Sequence, residues 1–310
     1  LADGIEGEKK ESIKPIIGCE FQVCEDIHDR THKDNGYQIV ILAKNKNGYH
    51  NLAKMASKAY TDGFYYMPRV DKNLVEEYKE DLIVLTGNMY GEVPSKILNL
   101  GENQAEEALL WWKKHFGDDL YIEVMRHGQE DENRANEVLI NFARKHAIKI
   151  VATNNTYYIH KEDANAHDIL LCVKDNEKQA TPIGRGRGYR YGLPNQEYYY
   201  KSTQEMKELF KDLPEAILNV QEVVDKVETY ELARDVLLPA FDIPNQFVDN
   251  NDATAKTKNG ENAYLKHLTY EGAKMRYGED FGDDIKERLD FELSVIQKTG
   301  YPGYFLIVWD

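Results

Sequence analysis

The sequence predicts an α/β protein built on a mostly parallel sheet. Short apolar runs suited to strands alternate with longer stretches of helical periodicity through the first half of the chain. The spacing of strand, then helix, then strand is that of βα units. Apolar residues make up 42% and charged residues 30% of 310, a composition that fits a soluble globular protein long enough for one large domain and part of another.

Ile13–Val23 and Tyr37–Ala43 read as strands, and Asn47–Tyr60 as a helix with Leu52, Met55, Ala56 and Ala59 on one face. Leu82–Leu85 is a short buried strand, Gln104–His115 a helix, and Leu120–Met125 a strand. Asn133–His146 is a helix with Val138, Leu139 and Phe142 inward; Ile148–Thr153 is a strand and Ala164–Val173 a helix. Helices resume at Thr203–Phe210, with Ser202 or Thr203 as N-cap and Glu205 in the first turn, and at Pro214–Val227. Leu237–Phe247, with two prolines, and the polar Asp249–Asn259 mark a domain boundary. Two more helices follow, Ala263–Arg276 and Asp284–Lys298. The closing run Tyr304–Trp309 has no stop signal and reads as the start of a buried helix. Together with a first residue that is not Met, this suggests a piece of a larger protein.

The formal net charge of −15 argues against a primary nucleic-acid groove, which needs clustered Lys and Arg. No apolar stretch approaches the ~18 residues of a membrane span. Cys19, Cys24 and Cys172 are odd in number and lack CxxC spacing, which suggests a reducing compartment. Cys19 and Cys172 sit in apolar runs and read as core.

Functional residues in βα folds gather past the C-terminal ends of strands. Here those positions are Glu20, Thr86–Asn88, Arg126–Gly128 and Asn154–Tyr157. Glu20 is a metal-ligand or acid–base candidate, or an outward residue on an edge strand; His127 is a metal-ligand candidate, or a structural imidazole. Two donors are too few for a hydrolytic metal centre, and Asn154, Asn155, Thr156 and Tyr157 offer amides, a hydroxyl and a phenol. The Gly- and Arg-rich Thr181–Leu193 reads as a surface loop, with Arg185, Arg187 and Arg190 as a weaker nucleic-acid contact. No GxSxG, P-loop or HExxH motif occurs.

Four segments carry a resemblance: Lys14-Pro15-Ile16-Ile17-Gly18-Cys19-Glu20, Asn47-Gly48-Tyr49-His50-Asn51-Leu52, Val151-Ala152-Thr153-Asn154 and Gly300-Tyr301-Pro302-Gly303-Tyr304-Phe305-Leu306-Ile307-Val308. In this order they resemble the alpha subunits of bacterial replicative DNA polymerase III, over nearly the whole chain. The resemblance implies a polymerase and histidinol phosphatase (PHP) domain, a distorted (β/α)7 barrel related to the TIM barrel. It would span residues 1–230, lacking its N-terminal strands, with 231–310 a mainly helical connection and the start of the polymerase palm. It implies a nucleotidyltransferase acting on primer-template DNA and deoxynucleotides with Mg2+, in the cytoplasm, through palm aspartates that this chain does not contain. A proofreading exonuclease subunit and other replisome subunits are the implied partners, with no membrane.

Against the family's metal pattern, Glu20 and His127 match ligand positions, vestigially. Asn88 stands where a Cys or His ligand is found, Asn155 replaces an Asp, and Tyr157 replaces a His. Gln38 stands where some members have a His that need not be a ligand. The His-x-His and Thr-Asp-His motifs are not matched by residues 1–13. The resemblance therefore implies a scaffold with a degenerate site rather than a phosphoesterase using Zn2+ or Mn2+. The alternatives are a metal-dependent PHP phosphoesterase or 3′–5′ exonuclease, a free-standing phosphatase acting on small esters, and a pure interaction module.

Overall fold

The structure, a computed structural model, describes residues 13–184, 186–233, 241–248 and 258–310. Two compact units make it up, Leu1–Leu232 and Ala233–Asp310.

The first unit is organised on a six-stranded sheet: β1 (Gly18–Cys24), β2 (Tyr37–Ala43), β3 (Val70–Asp71), β4 (Leu82–Leu85), β5 (Leu120–Val124) and β6 (Lys149–Ala152), in the order β3-β1-β2-β4-β5-β6. β3, β4, β5 and β6 pair in parallel with their neighbours, except that β2 runs antiparallel to both β1 and β4. The mostly parallel sheet expected from sequence is thus interrupted at its centre. The segment between β1 and β2 is a loop rather than a helix, so the chain turns back directly. The mixed α/β architecture is that of an open barrel; the sheet does not close on itself.

Helices α1 (Lys46–Thr61), α2 (Lys72–Glu77), α3 (Glu92–Asn99), α4 (Glu102–Phe116), α5 (Glu130–His146), α6 (Ala164–Asp175), α7 (Thr203–Leu209) and α8 (Pro214–Lys226) complete this unit. Local chemistry sets their ends. Asn45 caps α1 by accepting from the Gly48 N–H at 3.1 Å, and Asp71 caps α2 from Leu74 N–H at 2.8 Å. Helix α5 opens with Glu130, Asp131 and Glu132, closes with Arg144, Lys145 and His146, and stops where Ala147 turns left-handed at φ 49°. Ser202 and Glu205 form a reciprocal capping box on α7. Gly48 allows a close approach: a Cβ there would lie 2.3 Å from the Asp81 carbonyl.

Alternation along each strand separates two faces. On one face Phe21, Val23, Ile39, Ile41, Leu82, Val84, Leu120, Ile122, Val124 and Ile150 meet Leu52 and Met55 of α1, Leu109 and Trp112 of α4, and Leu139 and Phe142 of α5. The other face carries a smaller cluster, Ile83, Leu85, Tyr121 and Val151, closed by Val223 of α8 and by Val227. Helices α2 and α3 and strand β3 fell in stretches where the sequence suggested no element. Cys172 is buried as expected, Cys19 is partly buried and packs against the main core, and Cys24 is buried as well. Burial lifts the Cys24 thiol to about 11, which leaves it protonated.

The second unit contains α9 (Lys258–Tyr277), α10 (Asp283–Thr299) and α11 (Pro302–Trp309). Gly300, left-handed at φ 78°, ends α10, and Pro302 opens α11. Helix α11 forms where the sequence suggested one; Pro302, Gly303 and Leu306 are its buried residues, and Tyr304, Phe305, Val308 and Trp309 are exposed in this chain. Leu237–Asn259, expected as a boundary, lies largely outside the described residues. Among the described residues no helix is long and apolar enough to cross a membrane.

Candidate functional site

β4, β5 and β6 are parallel, and a residue three positions past the end of each reaches one place: Asn88 after Leu85, His127 after Val124, and Asn155 after Ala152. Because β2 runs the other way, its first residues are at this end too, and Gln38 joins them. These side chains, with Glu20 and Tyr157, line one cavity of about 230 Å3. Glu20 does not close its strand; it is the third residue of β1, opposite Val40, and remains exposed at the rim. Partial burial raises its carboxyl pKa.

His127 is 1% exposed and held on every side. Its Nδ1–H donates to Glu132 Oε1 at 2.8 Å, and its backbone N–H donates to Glu132 Oε2. Its Nε2 accepts from the Asn155 N–H at 3.3 Å, and the Tyr198 ring stacks on it at 4.4 Å and 7°. The Nε2 lone pair that would bind a metal is therefore turned to a backbone amide. Asn88 Oδ1 accepts from the Tyr90 N–H at 2.8 Å and shapes the turn after β4. Tyr157 is half exposed, and burial of its hydroxyl raises the phenol above its ordinary value. It remains a neutral phenol at neutral pH, a weak donor for any cation.

A multi-metal PHP centre needs several anionic or imidazole donors converging on one point. Among the described residues no three His, Cys, Asp or Glu side chains do so. The donors that line the cavity are two carboxylates, Glu20 exposed at the rim and Glu132 bonded to His127, one engaged imidazole, the amides of Gln38, Asn88, Gln129 and Asn155, and four tyrosine phenols; with one free carboxylate among them they do not fit such a group.

One candidate residue escaped the sequence reading. Glu123 lies on β5 between Ile122 and Val124, 5% exposed. Thr153 Oγ1–H donates to its Oε1 at 2.6 Å, while its buried Oε2 has no hydrogen-bond partner among the described residues. Burial pushes its pKa from 4.5 to about 7, opposed by the Thr153 hydroxyl and the nearby Gly87 backbone and further raised by Glu20. The available signal was a carboxylate inside the apolar run Tyr121–Met125.

The Gly/Arg loop behaves differently from its sequence. Arg190 is 5% exposed and its five N–H donors are all engaged. Two grip Asp168 at 2.6 and 2.9 Å, and the others reach the carbonyls of Thr181, Tyr191 and Gln179. It is a structural clasp with no donor left for a phosphate, which corrects its place among the nucleic-acid candidates. Arg187 lies on an exposed turn between two left-handed glycines. Arg185 lies outside the described residues.

An open α/β barrel whose strand ends converge on such a cavity is the architecture of a PHP domain, and the chain matches the PHP domain family over residues 3–127. Residues 263–310 match the family described as bacterial DNA polymerase III alpha NTPase domain. Proteins named DNA polymerase III subunit alpha match 97% of this chain at 38% identity in Borreliella burgdorferi, 36% in Treponema pallidum and 34% in Helicobacter pylori. Over nearly its whole length the chain is thus similar to one part of DNA polymerase III alpha subunits, with a PHP domain match near one end and a polymerase III alpha match near the other. It spans about a quarter of the length of the curated relatives it matches.

Proposed function

We propose that this chain is the PHP domain and adjoining helical segment of a replicative DNA polymerase alpha subunit, with the PHP unit acting as a scaffold. Identity of 38% across 97% of the chain carries the polymerase assignment. In this reading residues 1–230 are the PHP domain and 231–310 the connection toward the palm; the two compact units support that division. The whole protein extends a primer on its template with deoxynucleotides in the cytoplasm, using Mg2+. No residue of this chain is assigned to nucleotide addition.

The scaffold role rests on the donor set of the cavity. His127 is engaged on Nδ1, on Nε2 and on its face. Asn88, Asn155 and Tyr157 offer neutral groups at the remaining positions. A separate 3′–5′ exonuclease subunit is then the partner that supplies proofreading, alongside other replisome subunits. The test uses the full-length alpha subunit, assayed for primer extension with Mg2+ and for removal of 3′ nucleotides with Mn2+. Extension without Mn2+-dependent removal is expected. Removal that disappears in Glu20→Gln and His127→Ala would establish the metal-dependent phosphoesterase instead.

A further inference from the structure

Among the described residues, the lining of the cavity past the ends of β4, β5 and β6 has no lysine or arginine. Its charged groups are carboxylates, Glu20 at the rim and Glu132 against His127. Such a lining repels phosphate esters and favours positive charge. Its walls carry the rings of Tyr90, Tyr157 and Tyr191, whose faces attract cations, beside Tyr198, which is stacked on His127.

Independent of the charge, two buried acceptors at this end of the sheet, Gln38 Oε1 and Glu123 Oε2, have no hydrogen-bond partner among the described residues. Gln38 lines the cavity itself. Glu123 lines a pouch of about 10 Å3 that shares Asn88, Met89, Met125 and Glu132 with it. Buried acceptors without donors are costly until a donor arrives. A space of about 230 Å3 suits a group of side-chain size better than a bare ion.

We infer that this cavity binds a guanidinium or alkylammonium group, whose N–H donors pair with Gln38 and Glu123 and whose charge and stem are enclosed by the tyrosine rings. The inference rests on the proposal above that the cavity no longer assembles a metal centre. The ligand is either a free polyamine or a basic side chain of a protein partner.

Two probes distinguish these sources by calorimetry on the full-length protein: putrescine for the free amine and N-acetyl-arginine amide for the side chain. Saturable 1:1 binding of one or both is expected, about tenfold weaker in Glu123→Gln and in Tyr157→Leu. Glu123→Gln preserves side-chain shape and guards against loss of folding, which circular dichroism checks. The inference fails if neither probe saturates, or if both variants bind like the parent. Equilibrium dialysis with Mn2+ alone separates the two layers. Two or more ions bound per chain would overturn the degenerate-site proposal and this inference with it, whereas absent probe binding without metal would overturn only this inference.

Discussion

The face of the sheet covered by α1, α4 and α5 carries Phe21, Val23, Ile39, Ile41, Val84, Ile122 and Val124, whereas the opposite face sets Glu20, Gln38 and Glu123 beside Val40, Leu85, Tyr121 and Val151. The first face also buries a carboxylate, Glu92, but that group is fully paired: Lys72 and Lys96 reach Oε1 at 2.8 and 2.7 Å, and Trp112 Nε1–H reaches Oε2 at 2.9 Å. Burial works to raise its pKa, yet the two lysines outweigh it and the pKa is lowered. Glu123 is as deeply buried and, among the described residues, pairs with no cation. The same residue type is thus a stabilising node on one face and a burden on the other. Polar burden retained at the strand ends is the mark of a site rather than of a core.

The largest effect expected from this contrast is on the paired face. Trp112 is fully buried, and Trp112→Ala should cost about 4 kcal/mol by denaturant unfolding, from the cavity and the lost bond to Glu92. A cost below about 1 kcal/mol would mean that the helix-covered face is not where stability resides.

Glu123 should show the opposite sign. Below pH 4.5 its carboxyl is protonated both folded and unfolded. As pH rises toward 7 the unfolded chain ionises first, the folded state holds more protons, and stability falls. Above 7 that loss is complete, at roughly 3 kcal/mol. Glu123→Gln should therefore raise stability by about 2 kcal/mol at pH 8, allowing for a weaker bond from Thr153, and change it by less than about 0.5 kcal/mol at pH 4. Equal effects at both pH values would show that Glu123 is not held at a raised pKa.

Away from both faces the effects shrink. Ser202→Ala removes the cap of α7 and should cost about 1 kcal/mol by thermal unfolding; no change would show that the capping box contributes nothing. Ala147→Gly relieves a left-handed alanine at the end of α5 and should stabilise by about 0.5 kcal/mol. Destabilisation there would show that the alanine methyl contributes more than its backbone strain costs.

Much of the paired face was legible in the sequence, because Tyr37–Ala43, Leu82–Leu85 and Leu120–Val124 are apolar runs bounded by polar residues, and α1 and α5 carry clear helical periodicity. Helix α2 and strand β3 were not, since six and two residues are too short to show a period. The direction of β2 was also hidden: alternation reports which face a side chain takes, and says nothing of which way a strand runs. The convergence of Asn88, His127 and Asn155 followed from the strand-end rule. Gln38 joins them only because β2 is reversed, and Glu123 because a buried carboxylate reads in sequence as one polar letter among apolar ones. Arg190 was misjudged for a related reason: its clasp on Asp168 pairs residues 22 positions apart.

The reversed β2 has a consequence for how this unit acquires its shape. β1 and β2 are joined only by Glu25–Gly36, while the parallel pairs β4–β5 and β5–β6 must each wait for an intervening segment containing helix. Closing a short loop costs less chain entropy than a crossover and is faster. The β1–β2 hairpin is accordingly positioned to form first and to offer its free edge as the template on which β4, β5 and β6 add in order. Substitutions in Ile39 or Ile41 should slow folding, whereas those in Ile150 should mainly speed unfolding.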